Sequence, residues 1–290
     1  MPEPFNLILK KSDKALDTAN IEDYKLSIQL SLDGFSFCVF DHSINKFLSL
    51  ESYSVQGKIS VTRFCENFEH FAKNHPFLRH AFQQVLVLIE SPKTTLVPAP
   101  LFDENEIQTF AKFNFSPDDD NLLLHDKLIY PDTFNLYPIP EMLLKTIHSL
   151  FPLARVICHS SALIEGLMIQ NKNLPEKKRV FVNTRNSFLD IVVIEGKSLV
   201  YYNSFSYTSK EDFIYYIIFV FEQLDLNPEE TELTLSGFIE KSSSLFEITY
   251  KYVRHIQFGE LSTNFSYSYI FDEVPPHYFT NLINSGLCEL

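Results

Sequence analysis

The chain has 290 residues, of which 45% are hydrophobic and 21% charged, which is the composition of a globular protein. Its formal net charge of −13 repels phosphodiester backbones and argues against nucleic-acid binding. There are only 7 glycines, although loops that bring backbone close to a phosphate need them, and the 4 cysteines include no CxxC pair. The amino-terminal stretch lacks a signal-peptide pattern and the most apolar segment, 213–221, is too short to span a bilayer, so we expect a cytoplasmic protein without a transmembrane segment.

Three adjacent strands are predicted near the start of the chain. Apolar and polar residues alternate from Leu26 to Leu32, which is the period of a half-buried strand. Asp33-Gly34 follows and has the usual chemistry of a tight hairpin turn. A second strand beginning at Phe35 and a third beginning at about Lys46 complete an antiparallel set.

The remainder of the first half alternates between helical and extended patterns. The near-continuous apolar runs in it are typical of strands buried on both faces. In chain order we predict a helix over 60–82 that breaks at His75-Pro76, strands over 84–90 and 94–97, a helix over 103–113, an acidic loop over 117–120, an extended segment over 122–130, a helix over 140–150, a strand over 154–160 and a helix over 161–170.

A polar linker over 171–178 is the predicted boundary, which divides the chain into units 1–173 and 174–290. After it, the opening pattern returns. Three apolar runs precede a helix for which Thr208 and Glu211 form a capping box. The predicted elements of this half are strands within 180–182, 189–194 and 198–205, a helix containing 213–221, a strand over 231–237, a helix over 242–253, a strand over 255–258 and a helix over 276–285.

The order of elements is therefore the same in both halves, βββαβαβα. This layout resembles the actin-like ATPase fold, an α/β fold made of two ribonuclease-H-like halves around a cleft. The chain, through this pattern and the segment LSIQLSLDGFSFCVFD, also resembles an uncharacterised Bacteroidetes family of similar length, which is described only as a domain of unknown function. The resemblance covers the whole chain and implies that a duplicated actin-like fold is present.

The resemblance also implies where a nucleotide would bind. Active members of the fold carry an Asp-x-Gly phosphate loop on the first hairpin of each half. In this chain Gln29 and Ser31 take the places of the first Asp and Gly. Sliding the register offers Asp33-Gly34 instead, but the spacing is then wrong by one residue and bulky Phe35 follows.

The other two nucleotide motifs are also degraded. Asn183-Thr184-Arg185 stands where the second Asp-x-Gly belongs, and Ser236-Gly237 keeps one glycine of the pair that binds adenosine. Loss of two carboxylates removes most of the metal binding that phosphoryl transfer needs. Ordinary turns explain these segments as well. The candidate residues of a degenerate nucleotide cleft are Asp33, Gly34, Ser36, Asn183, Thr184, Ser236 and Gly237.

Other combinations of chemically active residues are weaker. His70, His75 and His80 are spaced by five, which spreads them around a helix and prevents a shared metal. Cys158-His159 are neighbours in a predicted strand, so they point to opposite faces and a catalytic dyad is excluded. The acidic residues 118–120 suit a divalent cation, but an exposed loop explains them better.

Two tyrosine-rich stretches are candidate contact surfaces, because aromatic rings with polar tips favour interfaces, although core and rim packing explains them better. The aromatic residues of these stretches are Tyr201, Tyr202, Phe205 and Tyr207, and Phe265, Tyr267, Tyr269 and Phe271.

Three functions compete on this basis. We expect a non-catalytic protein that acts through an unidentified protein partner and needs no cofactor. The alternative is an ATPase or kinase that binds Mg²⁺ and ATP through atypical phosphate loops. A ribonuclease-H-like nuclease needs clustered carboxylates for two metals, for which the first strands offer only Asp33 and Asp41.

Overall fold

The computed structural model describes residues 5–115 and 120–287. The first half contains nine strands and four α-helices among these residues. In chain order they are β1 (Phe5–Ser12), β2 (Tyr24–Ser31), β3 (Gly34–Asp41), β4 (Lys46–Val55), α1 (Val61–Asn74), β5 (Gln84–Ile89), β6 (Thr95–Pro98), α2 (Ile107–Asn114), β7 (Asn121–Leu128), β8 (Thr133–Pro140), α3 (Glu141–Leu150), β9 (Arg155–Cys158) and α4 (His159–Asn171).

The second half, as described up to residue 287, contains six strands and three α-helices. They are β10 (Lys178–Thr184), β11 (Phe188–Glu195), β12 (Ser198–Ser206), α5 (Lys210–Gln223), β13 (Glu232–Gly237), α6 (Ser244–Tyr252), β14 (His255–Phe258), β15 (Ser266–Tyr267) and α7 (Thr280–Asn284). Among the described helices none is long and apolar enough to cross a bilayer.

The two main sheets share one strand order. The first runs β1-β4-β3-β2-β5-β9, and the second runs β12-β11-β10-β13-β14. If β1 is left out and the strands of each sheet are numbered by their order along the chain, both sheets have the strand order 3-2-1-4-5. In both, the first three strands are antiparallel and the last two are parallel to the first. The predicted duplication of an α/β half is therefore confirmed.

The first hairpin is formed as predicted, and its glycine has a steric cause. Gly34 opens β3 opposite Ser54 of β4. A Cβ atom at Gly34 would lie 2.2 Å from the carbonyl oxygen of Tyr53, so only glycine permits this close approach of the strands.

Alternation along β2 separates two faces of the first sheet. Leu26, Ile28 and Leu30 are buried in the core that α1 and α3 cover. The residues that alternate with them along β2, among which are Lys25 and Gln29, face the opposite side of the sheet. That second face carries both the cleft and the cavity described below.

Helix α4 lies between the two halves and is apolar or buried around nearly its whole circumference. Ala162 packs with residues of the first sheet, whereas Leu163 and Ile164 pack with Phe181 and Val192 of the second. A helix buried on all sides must pair every polar group internally. This requirement explains the hydrogen-bond network at its amino terminus.

Several elements differ from the predictions. Neither β1 nor β8 was predicted, because lysines interrupt the apolar pattern of β1 and Pro138 lies inside β8. Strand β8 pairs with β6 and β7 in a separate three-stranded sheet. The predicted capping box is wrong by one residue. Ser209 is the N-cap of α5, and its side chain accepts a hydrogen bond from the backbone N–H of Asp212, whose side chain accepts one from the backbone N–H of Ser209. Strand β9 ends at Cys158 and α4 begins at His159, two residues before the predicted helix start.

The carboxyl-terminal residues return to the first sheet. Strand β15 pairs with β4, and Phe271 and Ile283 are buried with Phe47 and Leu50 of that strand.

The division between residues 173 and 174 stays a prediction. Most of the predicted acidic loop, residues 117–119, lies outside the described residues.

Candidate functional site

The two hairpins predicted to bind phosphate face each other across the cleft. Asp33, at the turn before β3, accepts a hydrogen bond of 2.5 Å from Nδ2 of Asn186, in the turn between β10 and β11. Asp33, Gly34 and Ser36 line a cavity of about 200 Å³, together with Arg185. Ser36 itself is buried and donates to Oγ of Ser52 at 2.9 Å.

The remaining candidate residues, which are Asn183, Thr184, Ser236 and Gly237, lie at the carboxyl ends of β10 and β13. Nδ2 of Asn183 donates to Oδ2 of Asp190 at 3.2 Å, and Oγ of Ser236 donates to the carbonyl oxygen of Val182 at 3.4 Å. Gly237 has φ +79°, and a Cβ atom there would lie 2.1 Å from the carbonyl oxygen of Thr184. The ends of β10 and β13 therefore touch, which leaves little room for a ligand between them.

A small cavity of about 10 Å³ lies between Gln29 of the first half and Asn183, Thr184, Arg185 and Gly237 of the second. Four of the side chains that line it have a buried polar atom without a hydrogen-bond partner among the described residues. These atoms are Oε1 of Gln29, Oγ1 of Thr184, Nη2 of Arg185 and Oδ1 of Asn281. A cavity of this size admits a single water molecule, which forms up to about four hydrogen bonds.

Arg185 is the central side chain of the cleft and is only 5% exposed. Its Nη1 forms an ion pair with Glu90, which follows β5 in the first half. Its Nε lies 3.4 Å from Oδ2 of Asp190 on β11. Glu90 also accepts a hydrogen bond of 2.6 Å from Nε2 of Gln29. The guanidinium thus connects the two halves at the position where phosphate loops oppose each other in active members.

His159 extends this network into α4. Its Nε2 lies 3.2 Å from Oδ1 of Asp190, and both side chains are fully buried. Burial opposes the imidazolium charge, but the Coulomb attraction of Asp190 prevails and raises the pKa of His159 to about 9. Burial likewise disfavours the carboxylate, and the charge of His159 nevertheless lowers the pKa of Asp190 to about 2. The pair is therefore ionised at neutral pH.

The network balances its own charge. Two cations, Arg185 and His159, face two carboxylates, Glu90 and Asp190. The hydroxyl of Tyr202 adds a hydrogen bond of 3.1 Å to Asp190. Buried charges are tolerated when each has a partner, so this arrangement has no surplus charge with which to attract a ligand.

The predicted exclusion of a Cys158–His159 dyad is wrong. Because the helix begins at His159, the two residues do not alternate across a strand, and Sγ of Cys158 lies 3.7 Å from Nδ1 of His159. With Asp190 they have the connectivity of a catalytic triad. All three are fully buried, so no substrate atom reaches the thiol in this arrangement.

The sequence did not point to the main residues of this network. Arg185 was noted only as a misfit in a phosphate loop, and Glu90 and His159 were not connected with the cleft. A signal existed for Asp190, which is the lone charge within the apolar run of β11. A carboxylate in such a strand needs a buried partner.

The other histidines and the aromatic stretches have structural partners. His75 caps α1, is buried and lies 3.2 Å from Glu51 rather than near a metal site. Within residues 5–115 and 120–287, no group of three or more His, Cys, Asp or Glu is placed to hold a metal ion. Phe265 and Tyr267 pack against Phe47, whereas Tyr269 is exposed.

Comparison with known proteins identifies the family. Residues 13–256 match the model of a protein family described as a protein of unknown function, DUF3822, and the chain belongs to this family. None of the curated proteins matches the chain in sequence.

Solved structures confirm the actin-like fold. A protein of unknown function with an actin-like ATPase fold from Bacteroides thetaiotaomicron VPI-5482 is 25% identical, with a TM-score of 0.81 over 94% of this chain and 99% of that chain. The PilM-PilN type IV pilus biogenesis complex contains a chain that is 9% identical, with a TM-score of 0.65 over 91% and 97%. The ethanolamine utilization protein EutJ from Carboxydothermus hydrogenoformans is 9% identical, with a TM-score of 0.49 over 90% and 88%.

The His159–Asp190 pair predicts a pH dependence of stability. The pKa of His159 rises from 6.5 to about 9 on folding, so its contribution is complete below pH 6.5 and is lost as the pH rises through 9. We expect the difference in unfolding free energy between the wild type and His159→Gln to shrink across this range in urea titrations. Exposed His70 provides the control His70→Gln, for which the difference should stay constant. A constant difference for His159→Gln would contradict the ion pair.

Proposed function

We propose that this member of the DUF3822 family is a non-catalytic protein on the actin-like fold and that it acts by binding another protein. The observation that carries the proposal is the buried ion pair between Arg185 and Glu90, which spans the cleft between the phosphate-loop positions. An arginine held by two carboxylates takes the place that a nucleotide phosphate and its metal need.

The residues of the cleft do not fit Mg²⁺ and ATP. The open cavity of about 200 Å³ is smaller than the roughly 300–1,000 Å³ of most small-molecule sites. Asp33, the nearest carboxylate to the first loop, is hydrogen-bonded by Ser31 and Asn186. Glu90 and Asp190 are paired with Arg185. These carboxylates are therefore engaged in contacts within the protein and do not suit the metal binding that phosphoryl transfer requires.

A two-metal nuclease is disfavoured by distance. Asp33 precedes β3 and Asp41 ends it, so the two carboxylates stand eight residues apart along an extended strand. At roughly 3.3 Å per residue they are separated by about 26 Å, whereas two-metal sites hold their ions about 4 Å apart.

An exposed sheet edge supports binding to a protein. Strand β12 pairs with β11 along one edge, and no strand among the described residues pairs with its other edge. Its nine residues, SLVYYNSFS, contain no charged residue and no proline. Natural edge strands are usually protected by lysine, proline or short length, so this edge is an open position for a further strand.

Exposed aromatic residues lie beside this edge. Tyr215 and Phe219 of α5 are 62% and 36% exposed, and their rings stack with centroids 6.3 Å apart. Phe219 also contacts Phe205 of β12, with centroids 6.5 Å apart. The edge therefore offers backbone hydrogen bonds and, next to them, an aromatic surface for side chains.

The occupant that fits this edge is a strand from a different protein. Two copies of this chain would each bring a net charge of −13, which opposes self-association. An uncharged or basic extended segment avoids this repulsion, and its alternate apolar side chains would pack on Tyr215 and Phe219. The existence of the PilM-PilN complex supports the proposal by analogy, because one chain with this fold is solved together with a partner.

Nucleotide titration tests the non-catalytic half of the proposal. We expect ATP and ADP, each with and without Mg²⁺, to leave the melting temperature of the purified protein unchanged. A site filled to 100 times its dissociation constant would add about 2.7 kcal/mol of stability, which such a titration detects. A Mg²⁺-dependent increase, or release of phosphate from ATP above the level of an Arg185→Met variant, would contradict the proposal.

The proposed binding of another protein is tested with substitutions at the β12 edge. A protein captured from cells by the chain is purified and its affinity measured with wild type, Asn203→Lys, and Tyr215→Ser combined with Phe219→Ser. We expect each variant to bind at least about tenfold more weakly, since a charge on the edge blocks strand addition and the serines remove the aromatic surface. Tyr250→Ser, an exposed tyrosine on α6, is the matched control and should bind normally. Equal affinity for all variants, or a dimer of the chain itself that these substitutions dissolve, would overturn the assignment.

A further inference from the structure

A second cavity, of about 340 Å³, lies at the opposite end of the first sheet from the cleft. Its floor is formed where β2, β5 and β9 begin. Lys25 is aligned with Gln84 on the neighbouring strand, and Leu86 is aligned with Arg155 on the next. Neighbouring residues in a sheet point to the same face, so the side chains of Lys25 and Arg155 project from one surface into the same cavity.

One wall of the cavity is aromatic. Phe40 is aligned with Lys25 on the adjoining strand, and its ring lies 4.8 Å from that of Phe47. Phe265 closes this wall with its ring 5.4 Å and 5.2 Å from those two rings. Ser285 and Gly286 of the carboxyl-terminal segment border the cavity on another side.

Among the residues that the structure describes, the cations of this cavity lack ion-pair partners. Within the described parts of the chain, no carboxylate oxygen lies within 4 Å of the charged groups of Lys25 or Arg155. Arg155 acts on buried Asp126 through longer-range Coulomb attraction. This situation is unusual in a chain with 37 acidic and 24 basic residues, where acidic partners are abundant.

We propose that this cavity binds a small organic anion, one with a carboxylate or phosphate group attached to a flat apolar part. Lys25 and Arg155 would hold the charged group, because ammonium and guanidinium donors form strong charge-assisted hydrogen bonds with such oxygens. The flat part would pack against Phe40, Phe47 and Phe265. The volume lies within the range of small-molecule sites, in which apolar walls are combined with a few polar groups.

Calorimetric titration of the full chain with phenyl phosphate tests the site. We expect saturable one-to-one binding at low ionic strength that weakens as salt is added. Inorganic phosphate, which lacks the ring, should bind more weakly, and neutral phenol should not bind detectably. Absence of saturable binding of phenyl phosphate, or equal binding of phenol, would overturn the proposal.

Single substitutions locate the binding. Lys25→Met and Arg155→Met should each weaken phenyl phosphate binding by about tenfold or more, since each removes charge-assisted hydrogen bonds to the phosphate. Lys197→Met, at an exposed lysine in the turn between β11 and β12, is the matched control and should bind as the wild type does. Unchanged affinity in both cavity variants, with urea unfolding showing that they are folded, would contradict the site.

A shortened chain that ends at Leu287 distinguishes an external anion from an acidic side chain of the protein itself, since Glu289 follows the residues that border the cavity. We expect the shortened and the full chain to bind phenyl phosphate with similar affinity. Binding by the shortened chain alone would show that the cavity holds Glu289 and would overturn the proposal. This test is independent of the proposed function, because neither the cleft nor the β12 edge is altered.

Discussion

The need to neutralise a buried arginine organises the centre of this protein. Arg185 is buried and extends from the second half toward Glu90 in the first, while Asp190 contacts it from its own half. A buried charge without a partner is far more costly than one in an ion pair. Separation of the halves at this point would leave Glu90 without its cation, Arg185 with one carboxylate instead of two and Asp190 without His159, so the network favours one closed arrangement of the cleft.

The same geometry explains how this framework differs from a nucleotide-binding one. The duplicated fold brings the first hairpin of each half to the same place. Where backbone amides and an Asp would face phosphate and metal, this chain sets Gln29 and Glu90 against Arg185, and Asp33 against Asn186. Glu90 of the first half pairs with Arg185 of the second, and this pairing of the charged groups of the cleft supports the proposed role in protein contacts.

Much of the fold could be predicted because it is encoded locally. Alternating apolar residues, Asp33-Gly34 and the apolar runs of β5 and β11 each occur within a few residues of sequence. The strands that were missed carry conflicting local signals, since Lys10 and Lys11 lie in β1 and Pro138 lies in β8. In both strands pairing with neighbours outweighs local preference.

The site was less predictable because its contacts join distant parts of the chain. Glu90 and Arg185 are 95 positions apart, and His159 and Asp190 are 31 apart. No feature of the sequence near Glu90 indicates an ion-pair partner in the second half. The two-residue difference between the predicted and the observed start of α4 decided whether Cys158 and His159 could meet, and helix ends are the least certain feature of any sequence-based prediction.

A double-mutant cycle at the central ion pair tests this account most directly. The unfolding free energies of the wild type, Glu90→Gln, Arg185→Met and the double variant are measured by urea titration. Arg185→Met leaves Glu90 without its cation and should lose about 3–5 kcal/mol, whereas Glu90→Gln leaves Arg185 with Asp190 and should lose less. The double variant should lose at least about 1 kcal/mol less than the sum of the two. Additive effects would show that the two side chains do not stabilise the closed cleft, and the account of the cleft as an internal ion-pair network would be wrong.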